Sequence, residues 1–396
     1  MKILSVDIGT GTQDIFLYDS NLDLENGFKL VLPSPTIMVH RRLKQSLHLR
    51  TPILLTGHQM GGGPSAWAIE EYARAGIPVY MTPSAARTIN DELEKVEALG
   101  IKIVGEDEAK GLRSKVESLE LKDFDFGLIS KTFEGYGVSL KDLSAVAVAV
   151  FDHGNAPAGV SDRQFRFDYL DERIRARNSL SSFAFLSTDI PKIMTRLQSV
   201  VDSAGELPCP LVAMDTAPAA VLGANFDIQV ATRRQKIICN VGNFHTLAFR
   251  LGDGIEGVFE HHTGEIDLMK LESLLRRLAD ASLKHEDVFN DMGHGALMYS
   301  DDVFEFGKDE FDVVVTGPRR SIFMDSDSLL SNTQEQTPAF QRLRPYFAVP
   351  FGDMMLAGCF GLLAATAETM PDLADPIYGS LRGGRGSLRR VAPWDA

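Results

Sequence analysis

The strongest constraint on the fold is a short motif that opens the chain and returns in its second half. Residues 1–19, MKILSVDIGTGTQDIFLYD, place a turn of small polar residues between two apolar runs, which is typical of a β-hairpin. Residues 237–251, IICNVGNFHTLAFRL, repeat this pattern. The aligned turn positions are small or polar: Asp7 with Asn240, Gly9 with Gly242, and Thr12 with His245. The sequence therefore predicts one such hairpin at the start of each half.

Length and charge limit the kinds of protein that this chain can be. At 396 residues the chain exceeds one ordinary hydrophobic core, so two domains are expected. A net charge of −14, from 54 acidic and 40 basic side chains, argues against nucleic acid as a partner. The apolar run at residues 354–367 is too short to span a bilayer, and Asp7 interrupts the apolar start that a secretory signal would need. No membrane association is expected.

The cysteines point to a reducing compartment. Cys209, Cys239 and Cys359 lie far apart in the sequence, in a spacing that matches neither a disulfide framework nor a metal-ligand pattern. They are expected to be reduced core thiols of a cytoplasmic protein.

Strands and helices alternate between the two hairpins. Residues 52–57, 78–82 and 101–105 read as short buried strands, and the segments between them have helical spacing with charged outer faces. This rhythm predicts a parallel sheet covered by helices. A longer apolar strand follows at residues 143–152.

Taken in order, these motifs resemble those of the actin, sugar kinase and heat-shock chaperone ATPase superfamily, in which two related lobes close on a nucleotide. The opening hairpin resembles the first phosphate hairpin of the superfamily, and residues 240–249 resemble the second. Residues 214–227 and 350–365 are similar to the two connecting helices, and residues 313–323 to the adenosine-binding strand and turn. More narrowly, the chain resembles a family labelled as a pyruvate formate-lyase activating enzyme. That activity needs three closely spaced thiolates for an iron–sulfur cluster, which these cysteines do not offer.

The resemblance implies an α/β fold with two actin-like (ribonuclease H-like) lobes around a nucleotide cleft. The first lobe is expected over residues 1–222, with a β-α insertion at about 50–110. The second is expected over residues 223–375, followed by a flexible tail at 376–396.

The resemblance also implies a site for ATP and magnesium. A phosphate chain with its cation needs open backbone N–H groups, hydroxyls, and a carboxylate for the metal's water shell. Asp7 is expected to hold magnesium through water, with Asp215 in support. The remaining nucleotide-binding candidates come from the two phosphate hairpins and the adenosine-binding turn: Gly9, Thr10, Gly11, Thr12, Asn240, Gly242, Asn243, Gly317 and Pro318.

Asp152 and His153 are further catalytic candidates beside Asp7. They come at the end of a buried strand, where ligands meet parallel sheets, so either could orient a water or a substrate hydroxyl. The alternative is a turn in which Asp152 binds its own backbone.

The second hairpin departs from the superfamily in ways that bear on the reaction. Asn240 stands where an acidic residue is usual, Phe244 where glycine is usual, and Pro318 where the adenosine turn has a second glycine. Asparagine can neither act as a base nor carry compensating charge. The predicted function is a magnesium-dependent ATPase or phosphotransferase acting on a small molecule or partner protein. The alternative is a nucleotide-gated binding or regulatory protein with little turnover.

Two other groups of residues keep more than one interpretation. The glycines at residues 61–63 enter a helix and suit either an anion or a wide structural turn. His245, His261, His262 and His294 suit either hydrogen bonding or a transition metal, and the latter would indicate a metal-dependent hydrolase. Adjacent histidines on a strand point to opposite faces, so His261 and His262 are not expected to clamp one ion together.

Overall fold

The computed structural model describes residues 1–324, 342–383 and 391. The chain divides into two compact units, each built from three stretches of sequence. The first unit comprises Met1–Ile15, Lys29–Asn155 and Phe185–Asp215, and the second comprises Phe16–Phe28, Ala156–Ala184 and Thr216–Ala396. No helix in the described ranges combines the length and the apolar character needed to cross a membrane.

Strands and helices alternate along most of the chain. The strands are β1 (Lys2–Ile8), β2 (Thr12–Asp19), β3 (Phe28–Pro33), β4 (Ile53–Gly57), β5 (Val79–Met81), β6 (Lys102–Ile103), β7 (Glu117–Leu121), β8 (Leu143–Val150), β9 (Ala184–Leu186), β10 (Leu211–Asp215), β11 (Lys236–Val241), β12 (His245–Leu251), β13 (Ile255–His262), β14 (Gly295–Met298), β15 (Val313–Thr316) and β16 (Pro345–Phe347). The α-helices are α1 (Pro35–His48), α2 (Pro64–Arg74), α3 (Pro83–Ala86), α4 (Leu93–Ala98), α5 (Glu106–Leu112), α6 (Phe126–Gly135), α7 (Asp162–Ala176), α8 (Thr195–Ala204), α9 (Thr216–Ala224), α10 (Ile228–Ala231), α11 (Leu268–Ala279), α12 (His285–Phe289), α13 (Ala357–Thr369) and α14 (Ala374–Leu381).

The first six-stranded sheet has the order β3-β2-β1-β8-β10-β9. Its centre is parallel: β1 pairs with β8, and β8 with β10. Residues 145–150 of β8 are fully buried, as expected of a central parallel strand with a continuous apolar sequence. The carboxyl ends of these three strands therefore lie side by side.

The predicted β-α insertion forms a sheet of its own. Four parallel strands lie in the order β6-β5-β4-β7, with Ile53 paired to Val79 on one side and to Glu117 on the other. β7 lies beyond the predicted insertion at 50–110. Its sequence, ESLEL, alternates exposed polar and buried leucine residues, so it carries no continuous apolar run. β7 nevertheless forms an edge strand of this sheet, and its Leu119 and Leu121 are buried.

Five neighbouring strands of the second six-stranded sheet repeat the order of β3-β2-β1-β8-β10 in the first, and the sixth strand lies at the opposite edge. The order of the second sheet is β14-β13-β12-β11-β15-β16. Antiparallel β11, β12 and β13 take the places of β1, β2 and β3, and β15 pairs parallel to β11 as β8 does to β1. The predicted fold class, α/β with two actin-like lobes, is confirmed.

The two predicted connecting helices, α9 and α13, pack against each other through glycine. A Cβ added to Gly223 would overlap the backbone of Ala357, and one added to Gly361 would overlap the backbone of Ala219. The helices can approach this closely only because neither position carries a side chain.

The predicted lobe boundary at residues 222 and 223 falls inside α9. The predicted flexible tail begins inside α14, which is helical because Ile377 and Leu381 are buried. Residues 384–390 and 392–396 of that tail lie outside the described residues.

Candidate functional site

The turn of the first hairpin is held from two sides. The Gly9 N–H donates to the Thr12 carbonyl at 2.9 Å, which closes the turn. Buried Ser34 precedes α1; its N–H donates to the Gly11 carbonyl at 3.1 Å and its hydroxyl to the Thr10 carbonyl. Thr10, Gly11 and Thr12 remain half-buried and Gly9 exposed, so the turn is both fixed and accessible. The predicted phosphate-binding role requires a fixed and accessible turn of this kind, and that role stays a prediction.

Three carboxylates lie where neighbouring strands of the first sheet end. Asp7 is the penultimate residue of β1, Asp215 is the last residue of β10, and Asp152 follows β8, which runs between them. Their exposed fractions are 8 %, 7 % and 4 %. In parallel sheets, ligands bind at the carboxyl ends of the strands. Oxygen ligands of this kind are the ones that Mg²⁺ prefers.

Asp152 is both a structural group and a titratable one. Its Oδ1 accepts the Gly154 N–H at 2.8 Å, and its Oδ2 accepts the Leu197 N–H in the first turn of α8 at 2.9 Å. Burial raises the pKa of Asp152 to about 6, and the charge of Asp215 adds to the rise, while the two N–H donors and Arg196 oppose it. The backbone hydrogen bonds expected of the structural alternative are present. A pKa near 6 also suits a general base at neutral pH.

His153 is half-buried next to Asp152, and its ring packs edge-on against Phe151 with the ring centres 4.7 Å apart. Its role as a base stays a prediction.

Arg196 and Asp123 form a buried ion pair that the sequence did not suggest. The Arg196 Nε donates to Asp123 at 2.7 Å, its Nη2 donates to the same carboxylate at 3.1 Å, and its Nη1 donates to the Phe151 carbonyl at 2.6 Å. Asp123, Asp152 and Asp215 all raise the pKa of Arg196, although burial opposes them. One signal was available: Arg196 is the second residue of α8, where a cation opposes the helix dipole unless an acidic partner is near.

The glycine loop at residues 61–63 is fastened to that ion pair. The Gly61 N–H donates to both Asp123 oxygens at 3.1 Å, and a Cβ there would approach the Arg196 guanidinium to 2.5 Å. The Gly62 carbonyl accepts the Thr36 hydroxyl at 2.7 Å. Gly63 has φ +62°, which favours glycine, just before α2 begins. These contacts hold the loop in place, and both the anion site and the wide structural turn stay open for it.

The second hairpin repeats the backbone of the first. The Gly242 N–H donates to the His245 carbonyl at 2.9 Å, and a Cβ on Gly242 would lie 2.7 Å from that carbonyl oxygen. Thr263 braces the turn, because its hydroxyl donates to the Gly242 carbonyl and its N–H to the Phe244 carbonyl. Asn243 is half-buried in the same turn.

The predicted adenosine turn lies beside the second hairpin. Asn240 on β11 is in register with Thr316 on β15. The next residue, Gly317, has φ +97°, and a Cβ there would approach the Asn240 Oδ1 to 2.5 Å. Only glycine fits at this position. Pro318 follows it and is exposed.

Three of the four histidines gather on one face of the second sheet. His245 is in register with His262 on the neighbouring strand, and His294 donates its N–H to the Glu260 carbonyl at 2.9 Å. The ring centres of the three histidines are 4.7 to 5.2 Å apart. His261 follows the alternation of the strand and faces Asp291 instead, with Nε2 3.4 Å from the carboxylate.

A buried carboxylate lies under the three rings. Glu260 is fully buried, accepts the Nε–H of Arg166 at 2.7 Å, and has its other oxygen 3.5 Å from the Nδ1 of His294 and 3.9 Å from that of His245. Burial raises the pKa of Glu260. Burial also lowers the pKa of His294 to about 2, with the charge of Arg166 adding to the fall, and it lowers the pKa of His262. The two imidazoles are therefore neutral at pH 7.

Residues 60–322 match the model of a protein family described as "Putative pyruvate format-lyase activating enzyme (DUF1786)". The chain belongs to this family. Its cysteines do not fit the iron–sulfur cluster that such an activity needs: Cys239 is buried in β11, Cys359 is buried in α13, and half-buried Cys209 precedes β10, all as free thiols. Burial raises the pKa of Cys239, so this thiol is not disposed to act as a thiolate ligand.

No curated protein matches the sequence. Among solved structures, the chain is similar to a ROK hexokinase from Thermus thermophilus, with 11% identity over 64% of this chain and 47% of that one, at a TM-score of 0.23. It is also similar to the ethanolamine utilization protein EutJ from Carboxydothermus hydrogenoformans, with 10% identity over 91% and 89% of the two chains, at a TM-score of 0.31. An exopolyphosphatase-like protein matches at 8% identity over 98% and 92%, with a TM-score of 0.24.

Proposed function

We propose that the chain binds ATP with magnesium at the first hairpin and acts as an actin-like ATPase or phosphotransferase. The observation that carries this proposal is the set of three buried aspartates, Asp7, Asp152 and Asp215, at the ends of adjacent parallel strands beside an open glycine and threonine turn. Carboxylates concentrated in this way repel each other, so a bound divalent cation offsets their charge.

The residues of the first hairpin and of the neighbouring strand ends have distinct proposed roles. Asp7 and Asp215 accept hydrogen bonds from metal-bound water, and the Gly9 to Thr12 turn offers N–H groups and hydroxyls to phosphate. Asp152 is the proposed base. Its carboxylate is ionised at pH 7, because its pKa is about 6, and each oxygen accepts one backbone N–H, which holds the carboxylate in place.

The second hairpin and the adenosine turn keep the roles that the resemblance implies. We propose that Gly242 and Asn243 bind phosphate and that Gly317 and Pro318 meet adenosine. Asn240 is neutral, so it supplies neither a base nor charge for a metal, and turnover is expected to be slow. A nucleotide-gated binding protein with little turnover is the second candidate, and Asn240 is the residue that favours it.

The proposal predicts that Asp7→Ala abolishes magnesium-dependent ATP binding, whereas Asn240→Ala has a small effect. Removing a buried charged partner costs about 2–5 kcal/mol, so an affinity loss of about 30-fold or more is expected for Asp7→Ala. Loss of the neutral Asn240 amide should cost less than about tenfold. Calorimetric titration with ATP, with and without magnesium, measures both.

Circular dichroism must show that both variants are folded. Equal affinity in the wild type and Asp7→Ala, or binding indifferent to magnesium, would remove the first hairpin as the site.

A further inference from the structure

We propose that His245, His262 and His294 form a binding site for a transition metal ion such as Zn²⁺, held from below by Glu260. This site belongs to the second sheet, and the inference does not depend on nucleotide binding.

Strand register brings these residues together on one face. His245 on β12 pairs directly with His262 on β13, so the two side chains are cross-strand neighbours. Glu260 is two residues before His262 and points to the same face, since side chains alternate along a strand. Glu260 pairs across the strands with Gly295, and His294 is the residue immediately before Gly295.

The ring separations match those of imidazoles around one metal ion. His245 and His294 ring centres are 4.9 Å apart, His262 and His294 are 4.7 Å apart, and His245 and His262 are 5.2 Å apart. Imidazoles bound to one tetrahedral Zn²⁺ at about 2.0–2.1 Å have ring centres about 5 Å apart. A ring nitrogen of His245 and one of His294 already lie within 4.8 Å of each other.

Glu260 supplies the outer shell that such sites use. Metal-bound histidines usually turn their second ring nitrogen toward a carboxylate or carbonyl, which fixes the ring. One Glu260 oxygen faces the Nδ1 of both His245 and His294, at 3.9 and 3.5 Å. Arg166 holds the other oxygen at 2.7 Å and keeps the carboxylate in place.

The chemistry favours a transition-metal cation over an anion. One oxygen of the Glu260 carboxylate lies 3.5 Å from the Nδ1 of His294 and 3.9 Å from that of His245, and a negative charge so close attracts a cation and repels phosphate. Neutral imidazole is the form that binds zinc, copper and nickel, whereas magnesium prefers oxygen ligands.

The test uses the full chain, stripped with a chelator and titrated with Co²⁺, whose visible absorption reports tetrahedral coordination, followed by competition with Zn²⁺. The wild type is expected to bind one equivalent per chain with a tetrahedral spectrum. His262→Ala should weaken binding by more than the about 10–100-fold that loss of an outer-shell partner costs, and Glu260→Gln should fall within that range. His261→Gln, the next residue on the same strand but on the opposite face, should bind as the wild type does.

Unchanged Co²⁺ affinity in His262→Ala would overturn the proposal, as would a wild type that gives no tetrahedral spectrum. If inorganic phosphate raises the melting temperature and Co²⁺ does not, the cluster is an anion site. Should buried His261→Gln fail to fold, His48→Gln on α1 of the first unit serves as the control.

Discussion

The first and second sheets share the order of five neighbouring strands, and their hairpins share one closing hydrogen bond. The Gly9 N–H donates to Thr12, and the Gly242 N–H donates to His245, each at 2.9 Å. The two turns thus share a backbone hydrogen bond but differ in their side chains. The position that carries the Thr12 hydroxyl in the first hairpin carries the His245 imidazole in the second.

The strand ends differ in charge as well. The place that Asp7 holds on β1 is held by Asn240 on β11. Asp152 lies three residues beyond the partner of Asp7 on β8, and Arg319 lies three residues beyond the partner of Asn240 on β15. The first sheet therefore ends in carboxylates, and the second in an amide and a guanidinium. A repeated fold fixes where ligands can meet the backbone, while the side chains decide which ligand each copy accepts.

The largest expected effect concerns the acidic strand ends. Asp152 has a pKa of about 6 in the folded chain against 3.8 as its ordinary value. Between these two values the folded protein holds a proton that the unfolded chain has lost. The free energy of unfolding should then fall by about 1.4 kcal/mol per pH unit, about 3 kcal/mol in all, and level off above pH 6. In Asp152→Asn this component of the slope should vanish. Urea unfolding between pH 4 and 7 measures it.

The matched control is Asp202→Asn, which removes the same charge from the exposed side of α8 and should keep the wild-type slope. Parallel pH profiles for the wild type and Asp152→Asn would show that Asp152 is solvated and that the strand ends of the first sheet are not a desolvated acidic site.

The resemblance between the hairpins could be predicted from the sequence because it is local. The alignment of Gly9 with Gly242 and of Thr12 with His245 depends on turn chemistry within a few residues, and the structure reproduces it in the closing hydrogen bonds. The strands at 52–57 and 143–152 could also be predicted from the sequence, since each is a short apolar run with turn residues at its end.

A smaller effect is expected when the second hairpin is made more like the first. In Asn240→Asp, a carboxylate takes the place that is acidic in the first copy. A positioned base or metal-orienting group contributes about 10²–10⁴-fold, so partial restoration should raise single-turnover ATP hydrolysis by at least about tenfold at saturating magnesium. Aspartate has nearly the shape of asparagine, so the close contact with Gly317 is kept.

Asn240→Ala is the control, and it should leave hydrolysis at or below the wild-type rate. A wild type that already turns over many times per second, and loses activity in Asn240→Asp, would mean that the amide is tuned to a different chemistry.

The contacts that the sequence could not predict join residues that are distant in the chain. Asp123 follows an edge strand and Arg196 begins a helix, and neither lies in a recognisable motif. Ser34 looks like an ordinary helix N-cap, yet its N–H and hydroxyl fix the first hairpin. Cross-strand register likewise decides that His262 meets His245 while His261 does not. Pairings of this kind follow from tertiary packing, which local patterns do not encode.

The smallest expected effect tests the insertion, which the first unit carries as a separate sheet. A Cβ on Gly62 would lie 3.0 Å from the Thr88 carbonyl oxygen, so Gly62→Val must displace the loop by a few tenths of an ångström. The Gly62 carbonyl accepts a hydrogen bond from Thr36 on α1, and Ser34, two residues earlier, holds the turn at Thr10. Through these hydrogen bonds, we expect a smaller displacement of the first hairpin. Misplacement by about 1 Å can cost 10²-fold in rate, so a loss of about 3- to 10-fold is expected here.

The insertion should affect turnover more than binding, so ATP affinity should stay within about twofold while the single-turnover rate falls. Gly111→Val is the matched control, because Gly111 lies on exposed α5 of the same insertion and an added Cβ there meets no atom within 4 Å. Equal rates in the two variants would mean that the glycine loop only shapes the insertion. The first hairpin would then work without it, and the acidic strand ends would be the whole functional difference between the two sheets.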